Sequence, residues 1–278
     1  MHIENIIIFN YRSCKFLDLE LSREHPNVFI GLNDSGKSTV LQAFDLLLGN
    51  KPKYSSYGEG SYKSDLSNSL ASIEQINTTL AGKDLPLFGF TDDSTLIIGK
   101  LVYSDDEVEK YTDLNLTTAL KWSIECNLTN VLWIAKRYYN NRVQTYLISS
   151  EADEPLELWN ATQATINGKI RELAVTNEDI ENENRKGRFS NFEKIRAVYG
   201  KLNCSLKWVE YSFGKSDKDI LPSFNLFDWN TSLEEIISTA NAIMQEEINE
   251  HITPIKQLAS DSARKAEEAI NQKFGAIS

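Results

Sequence analysis

The chain has 278 residues, of which 41% are hydrophobic, and a formal net charge of −11. This composition supports a packed core and excludes global disorder. The acidic balance excludes a uniformly cationic nucleic-acid binder, but not local basic patches. No apolar run reaches the roughly 18 residues of a membrane span, and no secretory signal begins the chain. Three scattered cysteines suit a reducing compartment, so we expect a cytoplasmic protein with no membrane partner.

The amino-terminal residues predict three strands followed by a helix. Ile6–Phe9 is rich in β-branched residues, and Lys15–Leu21 alternates apolar and polar residues with period two. Asn27–Ile30 is a third short apolar run, and we predict a strand there as well. Apolar residues recur at helical spacing over Ser38–Leu48, and Gly49 supplies a stop signal.

The middle of the chain predicts an antiparallel sheet. Residues 51–69 are rich in Ser, Gly, Tyr and Lys and predict a loop. Asn140-Asn141 predicts a hairpin turn, because Asn tolerates positive φ. Four segments have the composition of strands: Thr95–Tyr103, Ala119–Cys126, Val131–Tyr139 and Arg142–Ser149. We expect residues 95–150 to form a sheet beside the core.

The carboxyl-terminal third predicts helices around two more strands. Apolar residues fall at helical spacing within the basic stretch Arg185–Lys207, whereas Leu206–Glu210 and Ile220–Phe227 predict strands. Thr231–Phe274 contains no Gly and predicts a mostly helical segment. Ser232 and Glu235 form a capping-box pattern at its start, and Pro254 is expected to kink or split it.

The stretch GLNDSGKST, residues 31–39, fits the pattern G-x-x-x-x-G-K-[ST]. Glycines let backbone N–H groups surround phosphate oxygens. Lys37 offers a positive charge to the β- and γ-phosphates, and Ser38 offers a hydroxyl to Mg²⁺. The N-terminus of the following helix adds a favourable dipole. A chance match in a loop is the alternative, but the predicted strand before the loop and the helix after it favour a phosphate site.

The segments IENIIIFNYRSCKFLDLEL and NVFIGLNDSGKSTVLQAFDLLLG resemble the amino-terminal start of the SMC/RecF/OLD class of ABC-type ATPases. In that class an F-[RK]-S turn joins the first two strands, and a third strand enters an N-x-S-G-K-S loop. The likeness is specific over residues 1–50 and mainly architectural over 95–150. It implies an α/β fold, the N-terminal lobe of an ABC-type P-loop ATPase head with an antiparallel β subdomain. It also implies ATP and Mg²⁺ as cofactors.

The resemblance assigns roles around the glycine loop. Arg12 matches the arginine of the F-[RK]-S turn, which in the class lies near the nucleotide phosphates; an ordinary surface turn residue is the alternative. Lys37 is the implied catalytic residue and Ser38 the implied Mg²⁺ ligand. The loop residues between the two glycines contribute mainly backbone N–H groups. The implied cofactor-binding set is Arg12, Gly31, Asn33, Asp34, Ser35, Gly36, Lys37, Ser38 and Thr39.

An ABC-type site is composite, and two of its parts are missing from these residues. No LSGGQ-like signature occurs, and Leu101–Glu107, the nearest imitation of a Walker B strand, is better explained as a strand ending in a polar turn. The class has a glutamine where a strand enters the arm, whereas the region of Asp228 has none, which departs from the SMC pattern and favours an OLD-like or divergent defence-type relative. We therefore interpret 1–230 as the N-terminal lobe of a head and 231–278 as a helical arm or the start of a coiled coil, with the hydrolytic half elsewhere.

One basic set is a candidate nucleic-acid surface, because each Lys or Arg can contact a phosphate. An amphipathic helix with a solvated basic face is the alternative. The set comprises Arg185, Lys186, Arg188, Lys194, Arg196 and Lys201. The resemblance implies a second ATPase head, DNA and a nuclease or other effector subunit as partners.

Three functions remain open on the sequence. The first is an ATP-binding head that dimerises around Mg-ATP and acts on DNA, in anti-phage defence or DNA repair. The second is a non-hydrolysing, nucleotide-sensing subunit of a multi-protein complex. It is supported by the missing Walker B strand if these residues are the whole protein. The third is a P-loop kinase, which four antiparallel strands after the first helix disfavour.

Overall fold

The computed structural model describes residues 1–32, 36–49, 70–90, 94–104, 118–128, 130–139, 142–151, 158–180, 188–202, 205–214, 217, 220–226, 231–245 and 248. The chain divides into two compact units, Met1–Phe224 and Asn225–Ser278. No helix in this part of the chain is long and apolar enough to cross a membrane.

The first unit is built on one antiparallel sheet. Its strands are β1 His2–Tyr11, β2 Cys14–Glu20, β3 Thr95–Val102, β4 Val131–Tyr139, β5 Arg142–Glu151 and β6 Ser205–Glu210. They lie in the order β2-β1-β3-β4-β5-β6 as a six-stranded sheet. Each of these strands was predicted from the sequence. Tyr139 pairs with Arg142, which confirms the β4–β5 hairpin, although its turn lies outside the described residues.

Helices cover this sheet. Those of the first unit are α1 Lys37–Leu48, α2 Ile73–Ala81, α3 Thr118–Glu125, α4 Gln163–Glu172 and α5 Arg188–Gly200, with a 3₁₀ turn at Asn177–Asp179. The predicted helices at α1 and α5 are confirmed. In the second unit residues 233–245 and 248 are helical. The predicted capping box begins this segment, because the Ser232 amide donates to Glu235 Oε2 and the Glu235 amide donates to Ser232 Oγ, at 3.1 and 3.2 Å.

Both faces of the sheet are buried, which explains why β1 is apolar without alternation. Ile6 and Ile8 face the cluster that contains α1, whereas Ile7 and Phe9 face a second cluster under α2. All four side chains are at most 1% exposed. β1 is therefore a central strand, and its ends are positioned by packing on both sides.

α1 packs against β1, β3 and β4, and two contacts hold its carboxyl-terminal end. The carbonyl oxygen of Leu46, which has no partner within the helix, accepts hydrogen bonds from Tyr138 Oη and Lys136 Nζ at 2.8 and 3.0 Å. Gly49 ends the helix as predicted, with its N–H bonded to the Asp45 carbonyl. These contacts fix the direction in which the other end of α1 points.

The prediction of a strand at Ala119–Cys126 is wrong, because Thr118–Glu125 forms α3. Ala119, Leu120, Ser123 and Ile124 are its buried residues, and their spacing of one, three and one residues is that of a helix face. The Ser123 hydroxyl is also within 3.0 Å of Tyr103 Oη, which satisfies a polar group at the buried face. Short apolar runs leave helix and strand ambiguous until a packing partner decides between them.

Two further strand predictions are wrong. Residues 27–30 are not a strand, and Val28 and Ile30 expose 73% and 92% of their surface. Within the described residues no strand lies beside them to supply backbone partners. Residues 220–226 of the predicted strand Ile220–Phe227 are likewise irregular.

α2 was not predicted, although its sequence carries a start signal. Ser72 caps it through Oγ, and Gln75 returns a side-chain bond to the Ser72 amide, so the pattern Ser-x-x-Gln forms a capping box. Ile76 and Leu80 then bury one face. Several features considered in the sequence fall on residues that the structure does not describe. They are the predicted loop at 51–69, the polar end of Leu101–Glu107 beyond Ser104, the region of Asp228 and the predicted kink at Pro254.

Candidate functional site

The candidate site lies at the amino-terminal end of α1. Gly36 is the N-cap residue of this helix, with φ of 92°, and a glycine offers no side-chain cap to the first turn. The first backbone bond of the helix runs from the Val40 amide to the Gly36 carbonyl, at 3.1 Å. The first N–H groups of a helix have no backbone partner within it, and at the end of a glycine loop such groups can bind an anion.

Glycine is required at position 36 for two reasons. Its φ lies in the left-handed region that residues with a Cβ rarely adopt. A Cβ at this position would also lie 3.2 Å from Ser13 Oγ, in the turn between β1 and β2. The loop and the β1–β2 turn thus approach each other closely at Gly36.

Lys37 lies across the loop that precedes it. Its Nζ donates to the carbonyl oxygens of Gly31 and Leu32, at 2.8 and 2.6 Å. The ammonium group is therefore held at the first two residues of the glycine loop. Ser38 is exposed at the first turn, whereas Thr39 is buried. Asn33, Asp34 and Ser35, which complete the predicted loop, lie outside the described residues.

Arg12 is brought to the same region by the β1–β2 turn. Tyr11 pairs with Cys14, so Arg12 and Ser13 form the two-residue turn, and Arg12 adopts a left-handed φ of 47°. Its Nη1 donates to Gln42 Oε1 on α1, at 2.5 Å. Ser13 Oγ lies 3.5 Å from Thr39 Oγ1 on the same helix. The turn and the first two turns of α1 are therefore linked by two side-chain contacts.

Gln42 was not singled out from the sequence. It lies four residues after Ser38 and three after Thr39, and such residues share one helix face. That spacing marks Gln42 as a neighbour of the loop once α1 is predicted. Its contact with Arg12 spans 30 residues of sequence, which no local pattern shows.

Three side chains of the predicted nucleic-acid set are described, and each contacts a polar neighbour. Lys201 forms a 2.6 Å ion pair with Asp179, and its hydrogen bond, with those of Thr176, lowers the pKa of Asp179 to about 2. Lys194 Nζ donates to Asn167 Oδ1. Arg196 Nη2 donates to Asn130 Oδ1. Arg185 and Lys186 lie outside the described residues, as does the side chain of Arg188.

No group of three or more His, Cys, Asp or Glu side chains in the described part of the chain could hold a metal ion.

Of the strand–loop–helix context that a P-loop motif predicts, the structure shows the helix, α1, whereas the strand expected before the loop is irregular. The model of the AAA ATPase domain family matches residues 1–277, so the chain belongs to that family. The match confirms the ATPase class that the SMC/RecF/OLD resemblance indicated. No curated protein matched the chain.

A similar solved structure comes from work on the structural biochemistry of ATP-driven dimerization and DNA-stimulated activation of SMC ATPases. The two chains share 14% identity, the alignment covers 71% of this chain and 99% of that chain, and the TM-score is 0.34. At these values the likeness supports no functional conclusion, so the family match carries the assignment.

Proposed function

We propose that this chain binds ATP with Mg²⁺ at the loop 31–39 and uses it as an ATPase. The observation that carries the proposal is the placement of Lys37. Its ammonium group donates to the carbonyl oxygens of Gly31 and Leu32, in the loop that leads into the N-terminus of α1 at Gly36. A lysine and the first N–H groups of a helix then belong to one glycine loop, and a phosphate group is a ligand that both recognise.

The described residues fit this ligand. Gly36 leaves out the Cβ that would lie 3.2 Å from Ser13 Oγ. The N–H groups at the start of α1 would hold phosphate oxygens, Lys37 would exchange its carbonyl partners for them, and Ser38 would hold Mg²⁺. Arg12 would add a second positive charge from the β1–β2 turn. Bound Mg-ATP supplies the phosphoanhydride bond that an ATPase hydrolyses.

The test is the affinity for Mg-ATP of the wild type and of Lys37→Ala, measured by isothermal titration calorimetry. We expect the substitution to weaken binding by about 10- to 100-fold, because a hydrogen bond to a charged group contributes about 1.5–3 kcal/mol. Lys169→Ala is the matched control, since that lysine pairs with Glu172 on the surface. Equal affinities of the wild type and Lys37→Ala would contradict the proposal.

Release of phosphate distinguishes turnover from sensing. A protein that binds Mg-ATP and hydrolyses it is the ATPase proposed here. Binding without turnover favours the alternative, a nucleotide-sensing subunit that assembles with partners. The sequence lacks the signature and Walker B motifs that the class uses for hydrolysis. Binding and phosphate release are therefore measured on this chain and on any longer natural form of it.

The finer parts of the proposal come from the resemblance to the SMC/RecF/OLD class and not from the geometry. They are a second head that closes on bound Mg-ATP, an action on DNA with a nuclease or effector subunit, a role in defence or repair, and a cytoplasmic location. The three basic side chains described on and after α5 are engaged by Asp179, Asn167 and Asn130. DNA binding by that set therefore stays a prediction from the sequence.

A further inference from the structure

The Arg12 side chain contacts α1 through the side chain of Gln42. Its Nη1 donates to Gln42 Oε1, and its guanidinium carbon lies 5.6 Å from the centroid of the Tyr11 ring. Both side chains are half-buried. The contact is side chain to side chain across 30 residues, so the residue present at position 42 contributes to the position of the guanidinium.

The backbone conformation of the turn is set by contacts other than the one with Gln42. Arg12 has a left-handed φ of 47°, which costs about 1–2 kcal/mol for a residue with a Cβ. Ser13 approaches Thr39 and the open side of Gly36. The turn is thus set against the loop by Ser13, whereas the long Arg12 side chain keeps several rotatable bonds that the turn itself does not fix.

We infer that Gln42 is a positioning residue that holds the Arg12 guanidinium beside the phosphate loop, an inference that rests on the nucleotide site proposed above. Gln42, Ser38 and Thr39 share one helix face, with Gln42 one turn further from the loop. A guanidinium tied to Gln42 is therefore held about one helical turn behind the residue that would bind Mg²⁺. The ordering of Arg12 is then complete before the ligand arrives, which reduces the entropy lost on binding.

The amide is suited to this role because it is neutral. Gln42 Oε1 accepts a hydrogen bond and brings no negative charge of its own to offset that of Arg12. A carboxylate at this position would hold Arg12 as firmly and would offset its charge. Gln42→Glu and Gln42→Ala therefore separate position from charge: the first keeps the acceptor and lowers the net charge, and the second removes the acceptor.

The test is a double-mutant cycle on Mg-ATP affinity with Arg12→Ala, Gln42→Ala and the double variant. We expect Arg12→Ala to weaken binding by about 10- to 100-fold. Gln42→Ala is expected to weaken it by roughly 2- to 13-fold in the wild-type background, as for one side chain that must be ordered. In the Arg12→Ala background Gln42→Ala is expected to have no effect, because its partner is gone.

Gln42→Glu is the second variant, and we expect weaker binding of Mg-ATP together with an unchanged or higher melting temperature of the protein alone. Gln163→Ala, at the exposed start of α4, is the matched control and should leave affinity unchanged. A merely structural role for Gln42 would lower the melting temperature and would weaken binding equally in both backgrounds, which would overturn the inference.

Two further outcomes separate this inference from the proposed function. If Lys37→Ala weakens binding but Gln42→Ala does not, the nucleotide site stands and the role of Gln42 is wrong. If Lys37→Ala leaves binding unchanged, the nucleotide site is wrong and the role of Gln42 falls with it. If Gln42→Glu binds Mg-ATP as tightly as the wild type, the neutrality of the amide is irrelevant to affinity. That result would overturn the role inferred for its neutrality.

Discussion

Asn10 connects three segments of the chain through one buried side chain. Its Oδ1 accepts from the Ala71 amide at 2.6 Å, and its Nδ2 donates to the carbonyl oxygens of Ala71 and Ser94 at 3.2 and 3.3 Å. It is 1% exposed and has a left-handed φ of 55°. The residue thus satisfies backbone groups of the buried residues Ala71 and Ser94, immediately before the turn that carries Arg12.

Asn10→Ala is expected to lower the free energy of unfolding by at least about 2 kcal/mol, because each buried group left unpaired costs about 1–3 kcal/mol. Chemical denaturation measures the difference. Asn10→Gly removes the same side chain but accepts the left-handed φ, so its loss should be smaller by about 1–2 kcal/mol. Asn241→Ala, on the exposed helix of the second unit, should change stability by less than about 0.5 kcal/mol. A change that small in Asn10→Ala would contradict this role.

Single residues could be predicted from the sequence where they belong to a motif of fixed spacing. Gly36 and Lys37 were placed by the spacing of the loop, because phosphate binding requires a glycine at a left-handed turn and a lysine after it. Gln42 and Asn10 were not, because their importance comes from Arg12 and Ala71, and nothing local to either residue indicates those partners. Side-chain bonds between distant segments depend on how the chain closes.

At the scale of elements, α1 approaches the sheet closely at Gly99. A Cβ on Gly99 would lie 2.5 Å from Leu47 Cδ2, and Leu47 is 1% exposed. The helix that begins at the candidate site therefore packs directly on the backbone of β3. A glycine inside a strand often marks such an approach.

Gly99→Ala is expected to cost about 1–3 kcal/mol of stability, because the enclosed Leu47 side chain has to move. Thermal or denaturant unfolding measures it. Gly89→Ala is the control, since nothing lies within 4 Å of the added methyl group, and it should be neutral. Leu47→Ala should cost less in the Gly99→Ala background than in the wild type, because both substitutions act on the same contact. If Gly99→Ala is as stable as the wild type, α1 does not pack as closely as described.

The same scale shows where local patterns failed. Ala119–Cys126 was predicted as a strand and is α3, because short apolar runs suit either element and the neighbouring helix α5 and the strands β4 and β5 are what it packs on. Residues 27–30 have a strand-like composition, yet they lack a paired neighbour within the described chain. A strand exists only when backbone groups of another strand are present to bond with it.

At the scale of the whole molecule, the proposed second head predicts association that depends on nucleotide. In the presence of Mg-ATP, light scattering should show a mass rising from 31.6 kDa toward twice that value. Because the chain carries a net charge of −11, two copies repel each other, and the association should strengthen as salt screens the repulsion. Lys37→Ala should stay monomeric at the same nucleotide concentration. A dimer that forms without nucleotide, or none in any salt, would exclude a head that closes on ATP.

The sequence by itself determined the six strands, the helix after the glycine loop, and the class of ATPase, because hydrophobic periodicity and the P-loop spacing are local properties of the chain. Only the tertiary structure decided the order β2-β1-β3-β4-β5-β6, the helix at Thr118–Glu125, and the contact between Arg12 and Gln42. The reason is that these features depend on which distant segments meet. Burial on both faces of β1 brings the F-[RK]-S turn and the start of α1 together, and no neighbouring residue in the sequence carries that information.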